Sequence, residues 1–434
     1  MNNYVNYHSH KMFTNVIIPD SPAKYEDYIN RVIELGQTVI TSVEHGFQGN
    51  YWLLNELIRN KNIEFEKCRK KGKKNVPKDL HFIFGTEAYW VKDRHEKDKS
   101  NCHIIILAKN ENGRRKINLA LSKANEDGMF NGRPRLDFEL LFELPKDDVF
   151  ITTACLAYWN KYEDIDNITI KFKNYFGDNF YLEVQNHNTP QQKELNKKIL
   201  ELSRIHNINI IAGMDSHYIN EKDSIKRDKI LEYKGINYED EEGWFLDYPS
   251  YEVAYERFKT QGVLSDEEIY TALNNTNIIE TFDDIDLGLK TIEIDSNIFL
   301  DAEIKLPTLY EDKTQEEKDT LFKCIINEEW IKFRENENIP KEEYPMYLEG
   351  IRYEVGEVIA TGMTDYFLLH YVGLKKGVKN GGLITKRGRG SGVGFFINTL
   401  LGFSKVDRFK APIKLYPERF LTADRILKSK SLPD

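Results

Sequence analysis

The stretch INIIAGMDSHY, residues 208–218, is an apolar run that stops on an acid and an imidazole two residues apart. Ile208 to Met214 carry β-branched side chains and no proline, and read as a buried strand. Asp215 and His217 do not serve the packing of such a strand. Other runs end in the same way. Upstream, YVNYHSH (4–10) stops on His8 and His10, TVITSVEH (38–45) on His45, and VFITTACL (149–156) near Cys155. HFIFGTEAYW (81–90) places Glu87 after its first apolar residues, and HIIILAK (103–109) opens on His103. NFYLEVQNH (179–187) adds Glu183 and His187, for which a structural role is the reading.

Helical stretches lie between these runs, among them GRRKINLALSKANEDG and TPQQKELNKKILELSRIHN. SPAKYEDYINRVIELG offers Ser21 as an N-cap, Pro22 at the first helical position and Gly36 as a stop. Strand and helix alternate six or seven times. That rhythm predicts an α/β fold with a parallel sheet covered on both faces, open or closed into a barrel. Active groups of such sheets collect where strands end, because the loops converge there. Imidazoles, carboxylates and a thiol gathered at one rim can hold two or three divalent ions, which suits phosphoester hydrolysis.

Composition agrees with a soluble globular chain: 434 residues, 40% hydrophobic and 30% charged, with room for two or three domains. No run of eighteen apolar residues occurs and MNNYVNYHSH is not a signal peptide, so a cytoplasmic, non-membrane protein is expected. The four cysteines, Cys68, Cys102, Cys155 and Cys324, show no CxxC spacing, which favours free thiols or a single metal ligand over a disulfide frame. The net charge of −9 hides an asymmetry. Residues 371–434 hold fourteen Lys or Arg against four Asp or Glu, a net of +10, and the remainder sums to −19. A basic end on an acidic body suits one surface that meets phosphates.

That basic end contains KRGRGSGVGFF, which is neither a Walker A loop nor a dinucleotide GxGxxG. Its glycines allow close backbone approach and positive φ. Arg389 offers a fork and Ser391 a hydroxyl, and GFFINTLLG begins a helix whose N-terminus would face an anion. A flexible turn before a buried helix fits the same residues. Three amphipathic helices precede it, within DKTQEEKDTLFKCIINEEWIKFREN, PMYLEGIRYEVGEVIATG and YFLLHYVGLKKGVKNGG.

The succession HxH, EHG, TE, CHIIILAKN, TAC and DxH resembles the polymerase-and-histidinol-phosphatase (PHP) family, a (βα)7 barrel with a multinuclear metal centre. The resemblance implies metal ligands at His8, His10, Asp20, His45, Glu87, His103, Cys155, Asp215 and His217. The family's usual DHG is Glu44-His45-Gly46 here, and His103 starts its strand rather than ending it. From GMTDYFLLHY through GRGS, LGFSKVDRF and PERFLTADR to LPD, the chain resembles the entry to the palm of the C-family replicases, the bacterial DNA polymerase III α subunits. There Arg389, Gly390 and Ser391 correspond to the loop that contacts the incoming nucleotide's phosphates.

The combined resemblance implies a PHP barrel over 1–230, an acidic helical connection over 231–290 and the N-terminal part of an α+β palm over 291–434. It also implies zinc or manganese in the first site and magnesium in the complete polymerase site. Primer–template DNA and dNTP, a segment supplying the rest of palm and fingers, a sliding clamp and a proofreading subunit are the implied partners. The family's catalytic D-x-D follows "PD", so it is expected beyond Asp434, in a split, interrupted or phage-type gene. The competing readings are a separate PHP phosphoesterase or 3′→5′ exonuclease, and a scaffold without turnover.

Overall fold

The computed structural model describes residues 3–434 apart from 17–18, 101, 157–161, 237–242, 286–288, 295–296, 303–306, 385–389, 425 and 427–434; for 289–294 and 297–302 it describes the backbone alone. The chain divides into two compact units, residues 1–302 and 303–434.

In the first unit one sheet holds β1 (Val39–Ser42), β2 (His81–Trp90), β3 (Cys102–Ala108), β4 (Met129–Phe130), β5 (Arg133–Leu136), β6 (Val149–Thr153), β7 (Phe180–Gln185) and β8 (Ile210–Gly213). The order is β4-β5-β2-β3-β6-β7-β8, with β1 also on β2. The pairs β1–β2, β2–β5, β6–β7 and β7–β8 are parallel, as the alternation of elements predicts. β3 is not: it runs antiparallel to both β2 and β6. Among the described residues no helix lies between Trp90 and Cys102, and without a crossover helix the next strand returns beside the last one in the opposite sense.

YVNYHSH forms no strand. Its backbone meets β8's extension, His10 N–H donating to Ser216 O at 2.7 Å and Ser216 N–H to His8 O at 3.1 Å. On its other side Thr41 of β1 donates its hydroxyl to Tyr7 O at 2.8 Å. The described ladders therefore do not close into the expected barrel ring; this segment stands between the two ends.

The covering helices are α1 (Tyr25–Glu34), α2 (Tyr51–Lys70), α3 (Glu111–Asp127), α4 (Phe138–Leu141), α5 (Ile165–Phe176), α6 (Pro190–His206), α7 (Ser224–Lys234), α8 (Tyr251–Gln261) and α9 (Asp266–Asn275). Local chemistry sets their ends. Thr189 accepts Gln192 N–H and Pro190 opens α6, which Asn207 closes in the left-handed region. The acidity of the stretch after 230 is a surface property: Tyr251, Ala254, Phe258, Ile269, Ala272 and Leu273 of α8 and α9 are buried in the same core as the sheet. A hairpin, β9 (Leu289–Ile294) and β10 (Asn297–Ala302), ends the unit.

The second unit holds α10 (Gln315–Asn336), α11 (Tyr344–Ala360), α12 (Thr364–Lys379) and the short α13 (Phe396–Leu400) around Phe322, Trp330, Tyr347, Phe367, Phe395 and Phe396. Thr314 and Glu317 form a capping box at the start of α10. Among its described residues there is no strand, so the expected α+β mixture is a helical bundle here. Its apolar residues recur at helical spacing, which favours helices over a sheet.

Candidate functional site

Strand side chains alternate between two faces. One face of the sheet packs under the helices through Phe82, Phe84, Ile104, Ile106, Ile151, Leu182 and Val184. On the other face Val39, Ile83, Leu107, Phe150, Tyr181 and Ile211 make a second apolar cluster. Following that second face along each strand, the residues turn polar towards one end. Ile83 leads through Gly85 to Glu87, Val39 through Thr41 and Val43 to His45, and Ile211 through Gly213 to Asp215. β3 runs the other way, so Leu107 and Ile105 lead back to His103 at its start. An imidazole at the beginning of an antiparallel strand thus reaches the same rim as residues at the ends of parallel ones. Glu87, expected to follow its strand, lies within β2, paired with Ile105 and bridged to His45.

All nine expected ligands meet there. Glu87 is the hub: its carboxylate lies 3.6 Å from His8 Nε2, 3.3 Å from His10 Nε2, 2.6 Å from His45 Nδ1 and 2.9 Å from His103 Nδ1. Asp215 Oδ1 lies 3.2 Å from Nε2 of both His8 and His10. His217 Nε2 is 3.2 Å from Asp20 Oδ2, and its Nδ1 is 3.8 Å from Asp215 Oδ1. Cys155 Sγ stands 3.6 Å from His103 Nδ1 and 4.0 Å from Glu87 Oε1. Three overlapping triads have donor atoms close enough to share an ion: His10, His45 and His217; His8, His10 and Glu87; His45, Glu87 and His103. His187, read as structural, accepts Phe245 N–H at Nδ1 and packs on Trp244.

Residues outside the expected set hold this frame. Ser21 is not the cap of α1, which begins at Tyr25 after Lys24. Its hydroxyl instead lies 2.9 Å from His10 O and 2.7 Å from His217 O. Tyr28 OH sits between His10 O at 2.8 Å and Ser216 O at 2.9 Å. Two hydroxyls therefore pin the HxH segment to the DxH segment. Glu44, which stands where the family has Asp, accepts Lys11 N–H at 3.0 Å, and Lys11 Nζ donates to Ser9 O at 2.6 Å. These contacts had no signal in the sequence beyond a plausible cap and a charged residue beside a histidine.

Burial dominates the electrostatics. It pushes His10 down, with His45 adding to the effect, to about 3. Burial also opposes the charge on His45, but the Glu87 carboxylate outweighs it and holds that imidazole at about 9. Against burial, His103 and His45 keep Glu87 well below the usual carboxylate range, and His8 with His10 does the same for Asp215. Even so, His8 Nε2, both nitrogens of His10, His45 Nδ1, Glu87 Oε2 and Asp215 Oδ1 are buried and crowd against one another without a hydrogen bond of good geometry. Buried polar atoms are normally satisfied. Orphaned donors of these types, converging from several segments, fit divalent cations.

In the second unit, Lys386, Arg387, Gly388 and Arg389 lie outside the described residues. Gly390 has φ +72°, the left-handed conformation that favours glycine. Ser391 Oγ is buried without a hydrogen-bond partner. The start of the following helix, expected to face an anion, has one of its amides already engaged. α13 has five residues, and its Ile397 N–H donates to Glu354 Oε2 at 2.8 Å. A buried side chain of the same unit thus accepts one amide of this helix start.

Residues 6–187 match the PHP domain family, and residues 323–434 match the family described as the bacterial DNA polymerase III alpha NTPase domain. Curated relatives named DNA polymerase III subunit alpha align along nearly the whole chain. The one from Aquifex aeolicus is 26% identical over 99% of this chain and 36% of its own length. The one from Borreliella burgdorferi is 27% identical over 99% of this chain and 34% of its own length. The chain thus spans about a third of the length of these relatives. No helix among the described residues is long and apolar enough to cross a membrane.

Proposed function

Starting from a chain that pairs a PHP domain with a bacterial polymerase III alpha NTPase domain, we propose that its first unit is a multinuclear metal site for phosphodiester hydrolysis at a DNA 3′ end. The whole chain would serve DNA replication in the cytoplasm, as the N-terminal part of a polymerase III alpha-type replicase. One observation carries the reading: nine donor side chains from seven separate segments converge on one rim, where atoms of His8, His10, Asp20, His45, Glu87 and Asp215 are buried without a hydrogen bond of good geometry. Asp20, Glu87, Asp215 and the Cys155 thiolate bring up to four negative charges, which matches two divalent ions, zinc or manganese by donor type. The chemistry such ions supply is polarisation of a phosphoryl oxygen and a water made acidic near neutral pH.

The residues of the chain do the rest. Glu87 holds four imidazoles in one cluster, and Asp215 sets His8 and His10 against it. Ser21 and Tyr28 fix the spacing of the two motifs, which keeps donor atoms in place as a substrate arrives. The test is a manganese- or zinc-dependent nuclease assay on single-stranded DNA labelled at its 5′ end. Asp215→Asn is expected to lose at least about a hundredfold of the rate. Undiminished cleavage by that variant would rule the first unit out as the nuclease, and metal binding without turnover in the wild type would leave a scaffold.

For the second unit we propose a part share of nucleotidyl transfer on primer–template DNA. Gly390 and Ser391, with Arg389, would contact dNTP phosphates, and carboxylates holding magnesium would come from other residues, since 303–434 contains no D-x-D. The remaining palm and fingers, a sliding clamp and a proofreading subunit are the partners this reading calls for. Ser391→Ala is expected to weaken dNTP binding by about 10- to 150-fold, the worth of one hydrogen bond to a charged group. Equilibrium dialysis that finds equal affinity in the variant would remove Ser391 from the site.

A further inference from the structure

Glu183 is buried on the inner face of β7, two residues from Tyr181 of the apolar cluster and one strand away from Asp215. A carboxylate in such surroundings is costly unless its partners use it, and an apolar residue would pack there at less cost. Its partners are specific. Tyr7 OH donates to Oε2 at 2.6 Å and Gln185 Nε2 donates to Oε1 at 2.8 Å. His8 Nδ1 lies 2.7 Å from the same Oε1. With both oxygens already accepting, Nδ1 must be the protonated nitrogen and donate. In the neutral ring that a metal would bind, Nε2 of His8 then carries the lone pair, on the side of the Glu87 and Asp215 carboxylates 3.6 and 3.2 Å away.

The neighbouring strand is shaped around this acid. A Cβ on Gly213 would lie 2.1 Å from Glu183 Cδ and 2.2 Å from its Oε1. Only glycine at that position lets the carboxylate stand where it meets His8. Two strands therefore spend an inner position each on one acid whose side-chain hydrogen bonds, among the described residues, reach one rim ligand, His8.

We infer that Glu183 is a positioning residue which fixes the ring orientation and tautomer of His8, so that Nε2 is preset as a metal ligand, with Tyr7, Gln185 and Gly213 holding Glu183. This rests on the metal-site reading above. A carboxylate behind a ligating imidazole fixes its tautomer and raises its basicity.

The test is titration of the full-length apo-protein with cobalt(II), reading affinity and the visible absorption of the bound ion. Glu183→Gln keeps the volume and is expected to weaken cobalt binding by about 10- to 100-fold and change the spectrum. Tyr7→Phe, which removes one support of Glu183, should give a smaller loss in the same direction. Gly213→Ala changes no polar group yet displaces Glu183, so it should reproduce the Glu183→Gln spectrum. Wild-type affinity and spectrum in Glu183→Gln overturn the inference. Should that variant not fold, folded Tyr7→Phe and Gly213→Ala proteins with unaltered cobalt binding overturn it equally. Failure of the wild type to bind cobalt would instead sink the metal site itself.

Discussion

Replacing Glu87 with Gln is expected to strip the first unit of its divalent ions. The substitution keeps the size of the side chain and removes the charge at the point where His8, His10, His45 and His103 all lie within 3.6 Å. Loss of a residue that merely supports a ligand lowers metal affinity about 10- to 100-fold, so loss of the shared anion should cost on the order of a hundredfold or more. His45 would lose the partner that now holds its imidazole at about 9 despite burial. Metal analysis of desalted protein is the measurement: wild type should retain stoichiometric transition metal and Glu87→Gln well under one equivalent. Equal content in both would mean that the convergence of these side chains serves packing alone.

The second large effect belongs to the helical unit. Arg408→Ala should destabilise it by about 3–5 kcal/mol at pH 8, the cost of leaving one member of a buried ion pair alone. Glu354 is fully buried on α11, where Arg408 Nε donates to its Oε1 at 2.9 Å and Ile397 N–H to its Oε2. Burial pushes the Glu354 carboxyl up to about 7, against the pull of the Phe396 and Ile397 amides and the Arg408 guanidinium. A carboxyl that binds its proton more tightly folded than unfolded makes a contribution that is complete below the unfolded value, about 4.3. That contribution is lost as pH rises through about 7. Without Arg408 the folded carboxyl rises further, so the variant should lose more stability relative to wild type at pH 8 than at pH 5. Glu354→Gln should flatten the slope between those two values. Thermal denaturation of the full chain at both pH values decides it: an Arg408→Ala penalty equal at pH 5 and pH 8 would mean that Glu354 is not the titrating group.

Much of the candidate site was legible because its ligands recur in short local patterns. HxH, EHG, TE, TAC and DxH each sit beside an apolar run, and one-dimensional periodicity is enough to find such runs. What linear reading could not supply was strand direction. His103 looked misplaced at the head of its strand until β3 proved antiparallel, and Glu87, read as following HFIFGT, lies inside β2, which runs on to Trp90. Ser21 and Lys11 were opaque for a related reason. Their partners are backbone carbonyls, which every residue has, so no pattern of side chains announces them. The glycine-rich segment misled in one respect: a helix start exposes amides in general, but here Glu354, 43 residues earlier in the chain, had already taken one.

By itself the amino-acid sequence determined that the chain alternates strands with helices, that seven metal-type donors recur beside apolar runs (Asp20 and His103 being added by the family resemblance), and that amphipathic helices fill the second half. Those properties are local: each depends on the order of a few neighbouring side chains and on the period of the backbone they hang from. Only the tertiary structure decided that the donors share one rim, that Glu183 stands behind His8, and that Glu354 accepts an amide at the start of the helix after the glycines. Contacts between residues far apart in the chain depend on strand direction and register, and a change of one residue in register turns every side chain to the opposite face.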